Sequence, residues 1–302
     1  MVHDSLTSLT FIYYLIIWRL HMYSAEISRM NPTCFLFLVD HSTSMQNPIM
    51  GIPGNPKKSE FVADALNKVI QSLVVSASKD MEIRKYYQVG VIGYGFEVKS
   101  ALGGELAEND LVWIDEIYEH PLRIEDRIKK ESDGVGGFIE VSTKFPVWVD
   151  AVSRGQTPMC AALNKAHEIL AAWVEEHPQS YPPTVINLTD GEANDGDVRV
   201  PAELIKSLAT EDGNCTILTV HSSSNELSRQ IVFPMDAKDL PDHFSRVMFE
   251  VSSPLTPKMR ATSEELMGAP LEEGARGLVY NADIAGIVQA LEIGTRPANI
   301  QL

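Results

Sequence analysis

Cysteine is scarce in this chain, and its three residues, Cys34, Cys160 and Cys215, lie far apart. That excludes a disulfide framework, and with no CxxC pair or His/Cys cluster there is no zinc signature either. Positive charge is also in deficit: 25 Lys and Arg stand against 41 Asp and Glu, a formal net charge of -16. Phosphate binding wants a basic face, so a chain this acidic argues against nucleic acid or an anionic membrane surface as principal partner. Runs of about 20 apolar residues, the length a membrane-spanning helix needs, are missing. The nearest approach is segment 9–20, LTFIYYLIIWRL. It is too short for a span, and it has neither the basic flank nor the small-residue cleavage site of a signal peptide.

Three readings of that segment stand: an anchor or uncleaved signal, an apolar helix packed on the domain, or a translated upstream extension of the gene. The extension ranks first, because Met22 and Met30 precede the first core strand and nothing downstream calls for the segment. Residues 1–30 are therefore set apart, 31–295 form one domain, and 296–302 are a tail. So few thiols suit a reducing compartment, which points to the cytoplasm. Membrane anchoring or export through segment 9–20 is the alternative.

What is present is globular. The chain of 302 residues is 44% hydrophobic and 22% charged, enough to bury a large core. Short continuous apolar runs mark fully buried strands at Thr33–Val39, Tyr87–Tyr94, Thr184–Thr189, Thr216–His221 and Gly277–Tyr280. Between them, apolar residues at helical spacing predict helices over Ser59–Ser76, Pro158–Glu176, Pro201–Ala209 and Asp283–Leu291. Phe138–Val149 reads as extended, and its proline suits an edge. Strands alternating with amphipathic helices predict a doubly wound α/β fold: a mostly parallel central sheet, one antiparallel edge strand, helices on both faces. Two connections, 97–137 and 222–276, exceed ordinary loop lengths and read as insertions into the one domain.

Three short stretches carry chemistry. The first strand ends in Asp40-His41-Ser42-Thr43-Ser44, a D-x-S-x-S run. Gly155-Gln156-Thr157-Pro158 opens a helix, and Leu188-Thr189-Asp190-Gly191 closes a central strand. Open α/β sheets bind ligands at the carboxyl ends of their strands, where chain order reverses, and these stretches belong there. Hydroxyls and carboxylates suit a hard divalent cation: Mg²⁺ first, with Mn²⁺ or Ca²⁺ as alternatives. So few anionic ligands leave a cation electrophilic and one coordination position replaceable, which suits capture of a Glu or Asp from a protein partner.

These three stretches, in this order, resemble the metal-ion-dependent adhesion site of the von Willebrand factor A (VWA) family. The resemblance spans roughly residues 33–291 and implies a Rossmann-like VWA fold, with Asp40, Ser42, Ser44, Thr157 and Asp190 as its five metal-site positions. It also implies that both serines and either Thr157 or Asp190 touch the metal, that the aspartates otherwise act through water, and that the last helix can shift with ligand geometry. Within that family it resembles the bacterial cytoplasmic VWA proteins of the tellurite-resistance type, often linked to phosphorylation signalling, which implies a role in stress or phosphorylation signalling. The implied function is non-catalytic, metal-dependent protein binding as a scaffold or adaptor.

Plainer readings compete residue by residue. Singly, Ser42 and Ser44 read as turn caps and Asp190 before Gly191 as a turn residue; jointly they do not. His41 should point away from the metal, and Cys160 reads as a small buried helix residue rather than a nucleophile. The acidic run 190–201 fails as an EF-hand, with Asp195 where glycine belongs and Pro201 where glutamate belongs. Gly51–Ser59 fails as a P-loop and introduces the first helix instead. Of Glu97, Glu105, Glu108, Asp110 and Asp115, one could reach the metal rim as an internal plug; a solvated acidic loop is the plainer alternative. Two rival functions remain: a metal-dependent phosphohydrolase using the same aspartates, and a surface-anchored adhesin. The first lacks an evident general base or nucleophile; the second requires segment 9–20 to export the chain.

Overall fold

A computed structural model describes residues 22–49, 54–132, 138–222 and 229–296. Segment 9–20 lies outside the described residues; among those described, no helix is long and apolar enough to cross a membrane.

The core is a mostly parallel sheet. Its strands are β1 (Thr33–Asp40), β2 (Tyr87–Tyr94), β3 (Val98–Ser100) and β4 (Val112–Trp113). A hairpin of β5 (Arg123–Ser132) and β6 (Phe138–Val147) follows, and the sheet resumes with β7 (Thr184–Thr189), β8 (Thr216–His221), β9 (Ile231–Val232) and β10 (Leu278–Tyr280). Among the described residues the spatial order is β9-β10-β8-β7-β1-β2-β3, with β4 also on the outer edge of β2. The central pairs β2–β1, β1–β7, β7–β8 and β8–β10 are parallel. Antiparallel strands close both edges: β3 and β4 on β2, and β9 on β10.

The apolar runs of the central strands are continuous because both faces of the sheet are covered. Successive side chains alternate. Cys34, Leu36 and Leu38 of β1 enter one core, packed by α3 (Met159–Glu176), α4 (Arg199–Ser207) and α5 (His243–Val251). Phe35, Phe37 and Val39 enter the other, beneath α1 (Lys58–Ala77), α2 (Ile114–Glu119), α6 (Pro257–Met267) and α7 (Ile284–Thr295). At ~25 cal/mol per Å² of apolar surface, two such layers supply the main drive to fold.

The segment 138–149 is extended, as expected, and its place is a separate ribbon. Most of it is strand β6, and it pairs with β5 over ten residue pairs, Pro146 opposite Ile124, rather than joining the central sheet. Both ribbon strands keep an outer edge free, so the proline costs no ladder bond there. Both long connections carry regular structure: the first holds β3, β4, α2 and the ribbon strand β5, the second β9, α5 and α6.

Chain order reverses beside β1. From it the chain moves to β2 on one side, and later returns to β7 on the other. The crevice between the carboxyl ends of β1 and β7 is the topological switch point, where a doubly wound sheet receives its ligand. Register places Val39 opposite Leu188, so Asp40 and Thr189 emerge side by side.

Candidate functional site

Asp40 ends β1 fully buried, its carboxylate held from two sides. Oδ1 accepts the Ser42 backbone N–H at 2.8 Å, and Oδ2 accepts the Thr189 hydroxyl at 2.9 Å. Burial raises its pKa above the ordinary carboxylate value; the Ser42 and Thr189 hydrogen bonds oppose that, and the nearby Asp190 charge adds to it. The Asp40–Ser42 bond folds the chain into a tight turn after the strand, turning Ser42 and Ser44 toward each other. Their hydroxyl oxygens are 2.8 Å apart, and Ser44 Oγ donates to Asp190 Oδ1 at 2.6 Å. Four of the five expected positions thus meet in one connected polar cluster at the switch point.

Thr157, the fifth, reaches the same rim through its loop. Thr43 donates from its backbone N–H (3.1 Å) and its hydroxyl (3.1 Å) to the Gly155 carbonyl, while Gly155 N–H donates back to Thr43 Oγ1 at 3.3 Å. Gln46 adds a bond to the Ser153 carbonyl at 2.9 Å. Gly155 sits at φ +108°, and a Cβ there would lie 2.2 Å from the Phe96 backbone nitrogen, so only glycine allows this approach. From the far side, Asn194 N–H donates to the Thr157 carbonyl at 3.2 Å. The Thr157 side chain is nearly buried, and its hydroxyl makes no hydrogen bond among the described residues.

Several contributing residues carry no sequence motif. Lys58, the first residue of α1, is buried with only 2% of its side chain exposed. Its ammonium donates to Asp190 Oδ2 at 2.9 Å and to the Ser222 carbonyl at 3.2 Å. Asp195, from the run rejected as an EF-hand, caps α3 instead: its two oxygens accept the Cys160 and Ala161 N–H groups at 3.0 and 2.9 Å. A carboxylate across a helix N-terminus is favoured by the dipole and satisfies orphan donors. Thr189, read only as part of a strand-end motif, braces Asp40.

Other expectations meet a plain outcome. The His41 ring packs over Gly93, whose hypothetical Cβ would sit 2.2 Å from it, and burial lowers its pKa to about 4. Cys160 is buried, and burial, reinforced by Asp195, pushes its thiol up to about 12, unlike an activated nucleophile. All three cysteines are free and buried. The acidic residues of the first insertion engage elsewhere: Glu97 pairs with Lys99, Glu105 with His120, Asp110 with Lys165 and Asp115 with Lys85, while Glu108 is exposed. None of the five bonds to the Asp40–Asp190 cluster.

The donor set fits a hard cation. It offers only oxygens, two carboxylates and three hydroxyls, one of them unengaged. Among the described residues no group of three or more His, Cys, Asp and Glu forms, so a soft-metal site of that kind is not found there.

No protein-family model and no curated protein sequence matches the chain. Among solved structures it is similar to manganese-loaded Plasmodium vivax TRAP protein (19% identity, 66% of this chain and 60% of that one, TM-score 0.34). It is similar to the PilB minor pilin D319A mutant from Streptococcus sanguinis (10% identity, 65% and 51%, TM-score 0.39). The vWF domain of the type V pili tip protein Mfa5 from Porphyromonas gingivalis gives 11% identity, 54% and 39%, and TM-score 0.31. The chain spans less than two thirds of each of these proteins. Likenesses this remote leave the functional reading to the chain's own fold and side chains.

Proposed function

We propose that this chain is a non-catalytic, divalent-metal-dependent protein-binding domain of the VWA type. The observation that carries the reading is the joined cluster of Asp40, Ser42, Ser44 and Asp190 at the switch point, with the unengaged Thr157 hydroxyl on the adjoining loop. Asp40, Ser42, Ser44, Thr157 and Asp190 would hold Mg²⁺, with Mn²⁺ or Ca²⁺ as substitutes. The ion supplies a positive charge only partly neutralised by its site, and a partner's Glu or Asp side chain is the group such a charge selects. The partner contact is thus a carboxylate, and the domain acts as a scaffold or adaptor in the cytoplasm, in stress or phosphorylation signalling; the three free thiols are consistent with the reducing setting this requires.

Calorimetric titration of the purified chain with MgCl₂ and MnCl₂, set against Asp40→Ala, tests the metal. Saturable uptake near one ion per chain, weakened at least ~10-fold by the substitution, is expected, about 1.4 kcal/mol of binding. Capture of partners from the source cell with and without EDTA then tests the function. Partners recovered equally under chelation would refute metal-mediated recognition.

A further inference from the structure

The cluster contains a cation of its own. Lys58 is an unusual occupant of its position on two physical counts. It opens α1, where the helix dipole disfavours positive charge, and its ammonium is withdrawn from water, which is unfavourable unless a counter-charge is close. Only Asp190 and the Ser222 carbonyl are bonded to it among the described residues. Lys57, one residue earlier, is exposed, so the burial is specific to Lys58.

The consequence is electrostatic. Asp40 and Asp190 together carry two negative charges, and Lys58 cancels one. A divalent cation held here would therefore keep one net positive charge, whereas the same five positions without the lysine would neutralise it. Asp190 is also occupied on both oxygens, Oδ1 by Ser44 and Oδ2 by Lys58. We propose that Lys58 is the charge-setting residue of the site: it weakens retention of the divalent ion and strengthens that ion's selection of a monoanionic carboxylate. This rests on the metal reading above, and deepens it by assigning ligand selection to a residue outside the five positions.

The test is Lys58→Met, similar in length and uncharged, in the full chain. Two quantities are measured: Mn²⁺ affinity by calorimetry, and acetate binding to the Mn²⁺-loaded protein by paramagnetic relaxation of the acetate methyl protons. At the separations found here, loss of one positive charge should tighten Mn²⁺ at least ~10-fold and weaken acetate by a similar factor. Lys58→Gln, whose amide can still donate to Asp190, predicts the same two directions and covers the case in which Met leaves the chain unfolded. Equal Mn²⁺ affinity in wild type and variant, with acetate binding unchanged, would overturn the assignment while leaving the metal reading intact. Absence of Mn²⁺ uptake by both proteins would remove the metal reading and this assignment together. Uptake by the variant alone would show Lys58 replacing the ion rather than tuning it, and would overturn both this assignment and metal binding by the wild-type chain.

Discussion

At the scale of single residues, the rim mixes groups that announce themselves in sequence with groups that do not. His221 belongs to the second kind. It ends β8 stacked on Tyr280 at 4.8 Å, with Phe244 edge-on at 5.2 Å, and its Nδ1 accepts the Asn281 N–H. Burial, helped by the Lys58 charge, lowers its pKa from 6.5 to about 4. A histidine depressed in the folded state stabilises the fold above its unfolded pKa and loses that contribution as pH falls from about 6.5 toward 4. His41 acts with the same sign, and Asp40, whose folded pKa is raised, opposes it. Denaturant titration at pH 7 and pH 5 should show a net loss of stability on acidification, His221 contributing up to about 3 kcal/mol over its full window. His221→Phe should lose less; acid sensitivity identical to wild type would contradict the assignment. That Asp40, Ser42, Ser44 and Asp190 meet at one rim was legible because each motif is one short run at the end of a recognisable strand. Lys58 was not, because KK at residues 57–58 gives no sign of which ammonium turns inward.

At the scale of elements, the loop after β7 supports the loop before α3. Asp195 clamps the first turn of α3, and Asn194 N–H holds the Thr157 carbonyl. Asp195→Ala should therefore cost about 1 kcal/mol of stability, as lost helix caps do, and also weaken metal affinity by loosening Thr157. Thermal unfolding and Mn²⁺ calorimetry on one variant separate the two effects; lower stability with unaltered affinity would restrict Asp195 to capping. Strand and helix spans agree with the sequence reading to within four residues, and Tyr87–Tyr94, Thr184–Thr189 and Thr216–His221 agree end to end. Continuous burial writes itself into continuous apolar sequence, and one-sided burial into helical periodicity. The ribbon was harder: its strand β6 shows ordinary extended residues, and pairing partner is a tertiary fact that periodicity does not encode. Strands of two or three residues, such as β4 and β9, are too short to carry a period at all.

At the scale of the whole molecule, the sheet order is the device that assembles the rim, because β1 and β7 lie far apart in sequence and adjacent in space. The helix opening with Lys58 lies on one face of the sheet and packs against α7, so α1 and the last helix share one layer. That layering was implied by alternating strands and helices, whereas the inward turn of one lysine was not. The Thr43–Gly155 bonds have a further consequence. They join two rim segments through the backbone, independently of any ion. A recess braced in this way would keep its shape between loading and release of the proposed ion, so exchange would be governed by stripping water from the ion rather than by rebuilding the protein. Amide hydrogen exchange at Thr43 and Gly155 should accordingly be equally slow in EDTA and in Mg²⁺, and rapid exchange confined to the chelated state would show that the ion, and not the chain, shapes its own seat.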